Sequence, residues 1–156
     1  MHRLIAAALA LTAAPSLHAQ PAASSAPIDP GYATPLEGSW FYAPLGGGSE
    51  AVFRDSASRP QLAIRCTRAS RRVTIAKPST AAAPHLVVWT SSLSRSLPAA
   101  FDPATAYLSA GLPAFDVLLD TLVFSRGRIA FSAAGAPQLV LPVEGEIVRV
   151  VEDCRV

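Results

Sequence analysis

Cysteine is scarce in this chain: Cys66 and Cys154 are the only two in 156 residues. With no Cys-x-x-Cys spacing, there is no sequence basis for a dithiol redox centre or a thiolate metal site. Histidine is as thin. His2 and His18 fall in an N-terminal leader, which leaves His85 as the one histidine of a processed chain. Nucleophilic catalysis needs a base beside the nucleophile, and no serine lies in a Gly-x-Ser-x-Gly elbow. "GGGS" (46–49) lacks the lysine and following helix of a phosphate-binding loop. Zinc motifs, dinucleotide fingerprints and internal repeats are missing too. No cofactor or metal is expected, and no catalytic residue is assigned.

Long apolar runs are also lacking. The one candidate is in "MHRLIAAALALTAAPSLHAQ", from Leu4 to about Ala14, after a short basic start at His2 and Arg3. It is about half the roughly 20 residues needed to span a bilayer. Pro15 breaks it, and Leu17 and Ala19 occupy the positions that signal peptidase reads. This is the layout of a secretory signal peptide, residues 1–19, cleaved after Ala19. No cysteine follows the cleavage site, so a lipoprotein anchor is not expected. The expected compartment is the periplasm or the exterior. Residues 20–38 hold Pro21, Pro27, Pro30 and Pro35 among small residues and read as a disordered Pro/Ala/Ser-rich leader. One globular domain is expected over residues 39–156.

Charge is nearly balanced but unevenly placed. Without Arg3 the chain carries twelve bases, of which only Lys77 is lysine, against eleven acids. Arg54, Arg59, Arg65, Arg68, Arg71, Arg72 and Lys77 crowd the first half, and Glu144, Glu146, Glu152 and Asp153 the end. One reading is internal complementarity between an acidic C-terminal element and a basic strand pair. The other is an anion-binding face for lipid headgroups or glycans. Nucleic acid is not an expected partner, because residues 54–77 contain no aromatic side chain for stacking.

Most of the domain alternates with period two. Trp40 and Tyr42 share one face, as do Ala51 and Phe53, with "GGGS" as the turn of a hairpin over 39–54. Leu62, Ile64 and Cys66 form a third apolar face. Val73 and Ile75 follow after a turn near Ala69 and Ser70, and "HLVVWTSS" gives a fifth strand. Residues 95–112 carry proline breaks and read as edge structure and loop. The period then changes. Phe115, Leu118, Leu119 and Leu122 fall on one helical face, with Pro113 in the first turn and Gly127 as the C-terminal cap. "RIAFSA" and "PQLVLP" add two strands. In "VEGEIVRVVEDCRV", Ile147, Val150, Val151 and Cys154 keep helical spacing, and Arg149 is placed to pair with Glu152 or Asp153. The expected fold is α+β: a mainly antiparallel sheet of about seven strands with two helices.

Each cysteine lies on the apolar face of its element, so in an exported chain the two are expected to bridge. The bridge pins the C-terminal helix to the third strand. Its loop of about 88 residues corresponds to about 4–5 kcal/mol at the upper end of the chain-entropy model.

Asp116 and Asp120 are four apart on the first helix; paired carboxylates can bind a metal or share acid–base work, but nothing singles out these two, and the ordinary reading is a solvated helix face. In "FSRGR", Arg126 and Arg128 flank Gly127. They read either as a bidentate anion clamp or as a helix-end cation and a strand start facing the acids of the last helix.

"QLAIRC", "RRVTIA", "FSRGR" and "RVVEDC" together resemble a group of small exported proteins of alphaproteobacteria that carry no assigned activity. The strand ending in Cys66, the next strand and the C-terminal cysteine are also similar to the type VI secretion-associated VasI family, which implies an accessory periplasmic protein. The resulting expectation is a non-enzymatic exported domain that binds an envelope protein, glycan or other anion. Its contact candidates are Arg65, Arg68, Arg71, Arg126 and Arg128. A carboxylate-dependent periplasmic hydrolase built on Asp116 or Asp120 is the second reading. A protein inhibitor presenting a loop such as 92–103 is the third.

Overall fold

The computed structural model describes residues 29–156. The signal peptide expected at 1–19 and residues 20–28 of the leader lie outside the described residues. In chain order the elements are β1 (Gly38–Leu45), β2 (Gly48–Asp55), β3 (Pro60–Thr67), a 3-10 turn (Arg68–Ser70), β4 (Arg72–Pro78) and β5 (His85–Trp89). Then come β6 (Ser94–Pro98), β7 (Ala100–Asp102), β8 (Tyr107–Pro113), α1 (Val117–Val123), β9 (Arg128–Ser132), β10 (Leu139–Pro142) and α2 (Gly145–Asp153). The fold is α+β, as the periodicities imply. Among the described residues there are ten strands where about seven were expected, and they form two antiparallel sheets, ordered β1-β2-β3-β4-β8-β7 and β10-β9-β5-β6.

The extra strands come from residues 94–113, where edge structure and loop were expected. β8 lies inside the long sheet, between β4 and β7. Its Leu108, Ala110 and Leu112 are buried and alternate with Ser109, Gly111 and Pro113. Glycine, alanine and proline have poor strand propensity, so pairing with β4 and β7, rather than local preference, makes this a strand. The same elements remove the projecting 92–103 loop proposed for an inhibitor: it is β6 and β7, joined through Ala99.

Alternation places one face of each sheet inward. Trp40, Phe53, Leu62, Ile64, Val73, Ile75 and Leu108 line the long sheet's inner face; Leu86, Val88, Ile129, Phe131 and Leu141 line the short sheet's. Fully burying such a side chain is worth about 1.5–3 kcal/mol. α2 packs against β1, β2 and β3. Its Ile147, Val150 and Val151 are buried, as the helical spacing implied. The cysteines close on each other, Cys66 to Cys154, with their Cα atoms 5.4 Å apart. The bridge thus joins the C-terminal helix to β3.

Several local expectations are corrected. Pro113 ends β8, paired with Arg72, and does not open the helix. Asp116 caps α1 instead: its carboxylate accepts from the Leu118 N–H at 2.8 Å. Phe115 therefore precedes the helix and is 64% exposed, not buried with Leu118, Leu119 and Leu122. Phe124, not Gly127, is the C-cap. Gly127, at φ 75°, serves the turn into β9. That turn is held by Ser125, whose hydroxyl donates to the Arg128 carbonyl and accepts from the Ser91 N–H.

Sheet edges with unpaired backbone groups invite association unless covered. At one seam Ala99 alone separates β6 from β7, so one extended run passes between the sheets. At the other, the Leu36 N–H donates to the Val140 carbonyl of β10 at 2.8 Å, two residues before β1 begins. Trp40 Nε1 donates to the Pro142 carbonyl at 2.9 Å on the same side.

Candidate functional site

Residues 29–37, read from the sequence as the end of the leader, are held in place. Asp29 makes a turn, its carboxylate accepting from the Gly31 N–H and its carbonyl from Tyr32 and Ala33. Arg128 Nη1 then donates to the carbonyls of Gly31 at 3.1 Å and Ala33 at 2.7 Å. Arg128 thus fastens this strap to the outer face of the short sheet. Its Nη1 bonds backbone oxygen and not the acids of α2.

The strap walls a groove of about 1030 Å³. The floor is the outward row of Val87, Ser96 and Ser132 on β5, β6 and β9. Ala33, Thr34 and Leu36 of the strap, the chain around Ala134 and Pro137, and Pro84 with the exposed His85 complete the lining. No carboxylate, arginine or lysine lines it. Its volume is at the top of the range for ligand clefts, and a largely apolar lining with a few polar groups is their usual make-up.

None of the five arginines singled out from the sequence lines the groove, and of them Arg68 and Arg71 meet at the turn after β3. Arg65 pairs with Glu50 on the outer face of the long sheet, Nη2 to Oε1 at 2.7 Å. Arg68, in the turn after β3, reaches the Asp153 carbonyl at 3.3 Å and its carboxylate at 3.9 Å. Arg71 is exposed beside that turn, in a left-handed conformation at φ 47°. Arg126 is exposed on the loop after α1, its backbone N–H bound to the Ser91 hydroxyl. Complementarity between the acidic end and the basic strands is realised at Arg68–Asp153. Arg149 does not pair with Glu152 or Asp153; its guanidinium lies 3.8 Å from the Tyr42 ring centre. The Tyr42 hydroxyl donates to Asp153 at 2.7 Å. That bond, with the charges of Arg68 and Arg149, outweighs burial and holds the Asp153 pKa below 3.8.

Asp116 and Asp120 are both engaged in ion pairs. Burial of Asp116 opposes its ionisation, but the Arg95 hydrogen bond at 2.8 Å, the Leu118 N–H and the Arg95 charge prevail. The pKa is lowered from 3.8. A general acid needs the opposite shift. Asp120 pairs with Arg155 at 2.6 Å. Neither aspartate lines the groove. Among the described residues no group of three His, Cys, Asp or Glu side chains is placed to hold a metal ion, and no helix is long and apolar enough to cross a membrane.

The groove was missed from the sequence, although one signal bears on it. "HLVVW" is apolar at consecutive positions, not alternate ones. A strand covered on both faces has that pattern. Leu86 and Val88 turn into the core, Trp89 lies near Gly31 of the strap, and Val87 is left on the groove floor. Comparison with known proteins finds no matching family model, curated protein or solved structure.

Proposed function

We propose that this is an exported, non-enzymatic binding domain that holds an uncharged, largely apolar segment of a cell-envelope protein in the groove of the short sheet. The observation that carries the reading is the groove itself: about 1030 Å³, floored by Val87, Ser96 and Ser132, with no carboxylate, arginine or lysine in its lining. A charged segment would lose its hydration there without gaining a partner. The Cys66–Cys154 bridge accords with life in an oxidising compartment. The arginine contacts expected from the sequence take a different part in this reading, since Arg128 positions one wall and touches no ligand.

The test is capture from a detergent-solubilised envelope fraction by the processed protein, beside Val87→Arg and Ser132→Arg. Both positions lie on a solvent-facing groove floor, so the variants should keep the parent's melting temperature. Both should lose the captured species. Capture undiminished in both variants would sink the groove as the partner site. The single variants Arg126→Glu and Arg128→Glu separate the two readings. If direct arginine contacts matter, Arg126→Glu alone abolishes capture; if the strap matters, only the change at Arg128 does.

A further inference from the structure

The outer face of the long sheet carries a second hollow, of about 420 Å³, on the strands β2, β3, β4 and β8. Solvent faces of antiparallel sheets ordinarily bear polar side chains. Here the floor is small: Ala63, Ala76 and Ser109 are cross-strand neighbours in one row, with Thr74 in the next. The cross-strand pair Glu50 and Arg65 stands on one side, and Tyr107 with Thr105 on the other.

The charged pair leaves donors of Arg65 and an acceptor of Glu50 open. Arg65 spends Nε and Nη2 on the same oxygen, Glu50 Oε1, at 3.0 and 2.7 Å. Among the described residues none takes Glu50 Oε2 or Arg65 Nη1 as a hydrogen-bond partner. The lining thus presents a carboxylate acceptor beside a guanidinium donor, with no net charge. Hydroxyls of Thr74, Thr105 and Ser109 and the ring of Tyr107 complete it. Hydrogen bonds to ionised groups are the strong ones, and a tyrosine offers an apolar ring with a polar tip.

We propose that this hollow binds a neutral saccharide. Adjacent hydroxyls of a pyranose match the paired requirement, one donating to Glu50 Oε2 and the next accepting from Arg65 Nη1. The C–H face of the ring lies against Tyr107, and the small floor of Ala63 and Ala76 admits the ring edge. An isolated anion is the poorer fit, because Glu50 faces the same space. This site is on the other sheet from the groove and stands without the reading given to it.

The experiment is retention of the processed protein on an array of immobilised neutral and acidic glycans, with Glu50→Gln, Tyr107→Ala and Ala76→Arg alongside. Retention by neutral glycans is expected, weakened about tenfold or more by Glu50→Gln through loss of a charged acceptor and abolished by Ala76→Arg, which fills the floor. Glu50→Gln and Ala76→Arg change exposed or half-exposed positions, so they remain decisive if Tyr107→Ala fails to fold. Retention by no neutral glycan overturns the proposal. So does retention confined to acidic glycans, or retention that both Glu50→Gln and Ala76→Arg leave unchanged.

Discussion

Lys77, the only lysine, follows Val73 and Ile75 on the inward-facing row of β4, opposite Leu108. Its ammonium reaches only the Pro78 carbonyl, at 3.5 Å, and burial lowers its pKa from 10.5. A lowered lysine pKa marks a charged form that folding disfavours. The penalty is complete below the folded pKa and fades as pH rises towards 10.5. Lys77→Met should therefore stabilise the protein at neutral pH by about 1 kcal/mol or less, since the group is only half buried. Urea unfolding at pH 7 and pH 10.5 checks this, and the gain should shrink at the higher pH. The aspartates work in the other direction. Asp116 and Asp153 have lowered pKa values, so their stabilising effect is present above 3.8 and is lost as pH falls below it. Melting temperatures should hold from pH 7 to about pH 5 and drop below pH 4, less steeply in Asp116→Asn. Asp116→Ala should cost about 1–2 kcal/mol at neutral pH through loss of the α1 cap.

At the level of elements, α2 is where two local signals compete. Its valines favour a strand, yet Ile147, Val150, Val151 and Cys154 fit one helical stripe, and all four are buried. The stripe prevails because β1, β2 and β3 offer it a surface to cover. The disulfide fixes its last turn, and Cys66→Ser with Cys154→Ser should lower unfolding stability by about 2–5 kcal/mol. Chemical denaturation of the double variant measures this, and the parent protein should show no thiol after denaturation without reductant. Gly48 is held by the same neighbourhood: a Cβ there would run into the Cys66 carbonyl, so Gly48→Ala should destabilise even the bridged protein. The strap is an element of another kind, held by Arg128 and the Leu36 amide. Arg128→Ala should speed hydrogen exchange at Leu36 while β3 and β4 amides keep their protection.

For the molecule as a whole, the two hollows lie on the outer faces of different sheets, with the common core between them. No lining residue is shared. Their ligands should bind independently. Val87→Arg should leave glycan retention unchanged, and Ala76→Arg should leave capture of the envelope species unchanged. A protein with both sites would tether its partner to a saccharide surface. Loss of both activities from one single-site variant that still melts like the parent would contradict this arrangement.

Amino-acid order by itself determined the faces and the periods. Leu62, Ile64 and Cys66 had to share a side of a strand, and Ile147, Val151 and Cys154 a side of a helix, because side-chain direction follows from backbone geometry. That was enough to place the bridge. Neighbours in space were decided only by tertiary structure. β8 became an inner strand because β4 and β7 paired with it, against the preference of its glycine and alanine. Arg128 met carbonyl groups about 95 residues away instead of the nearby acids. Glu50 and Arg65 became partners because the β2–β3 register set them opposite. Such contacts depend on how distant segments register with one another, a global outcome of burying all the apolar faces at once, and no local pattern encodes it.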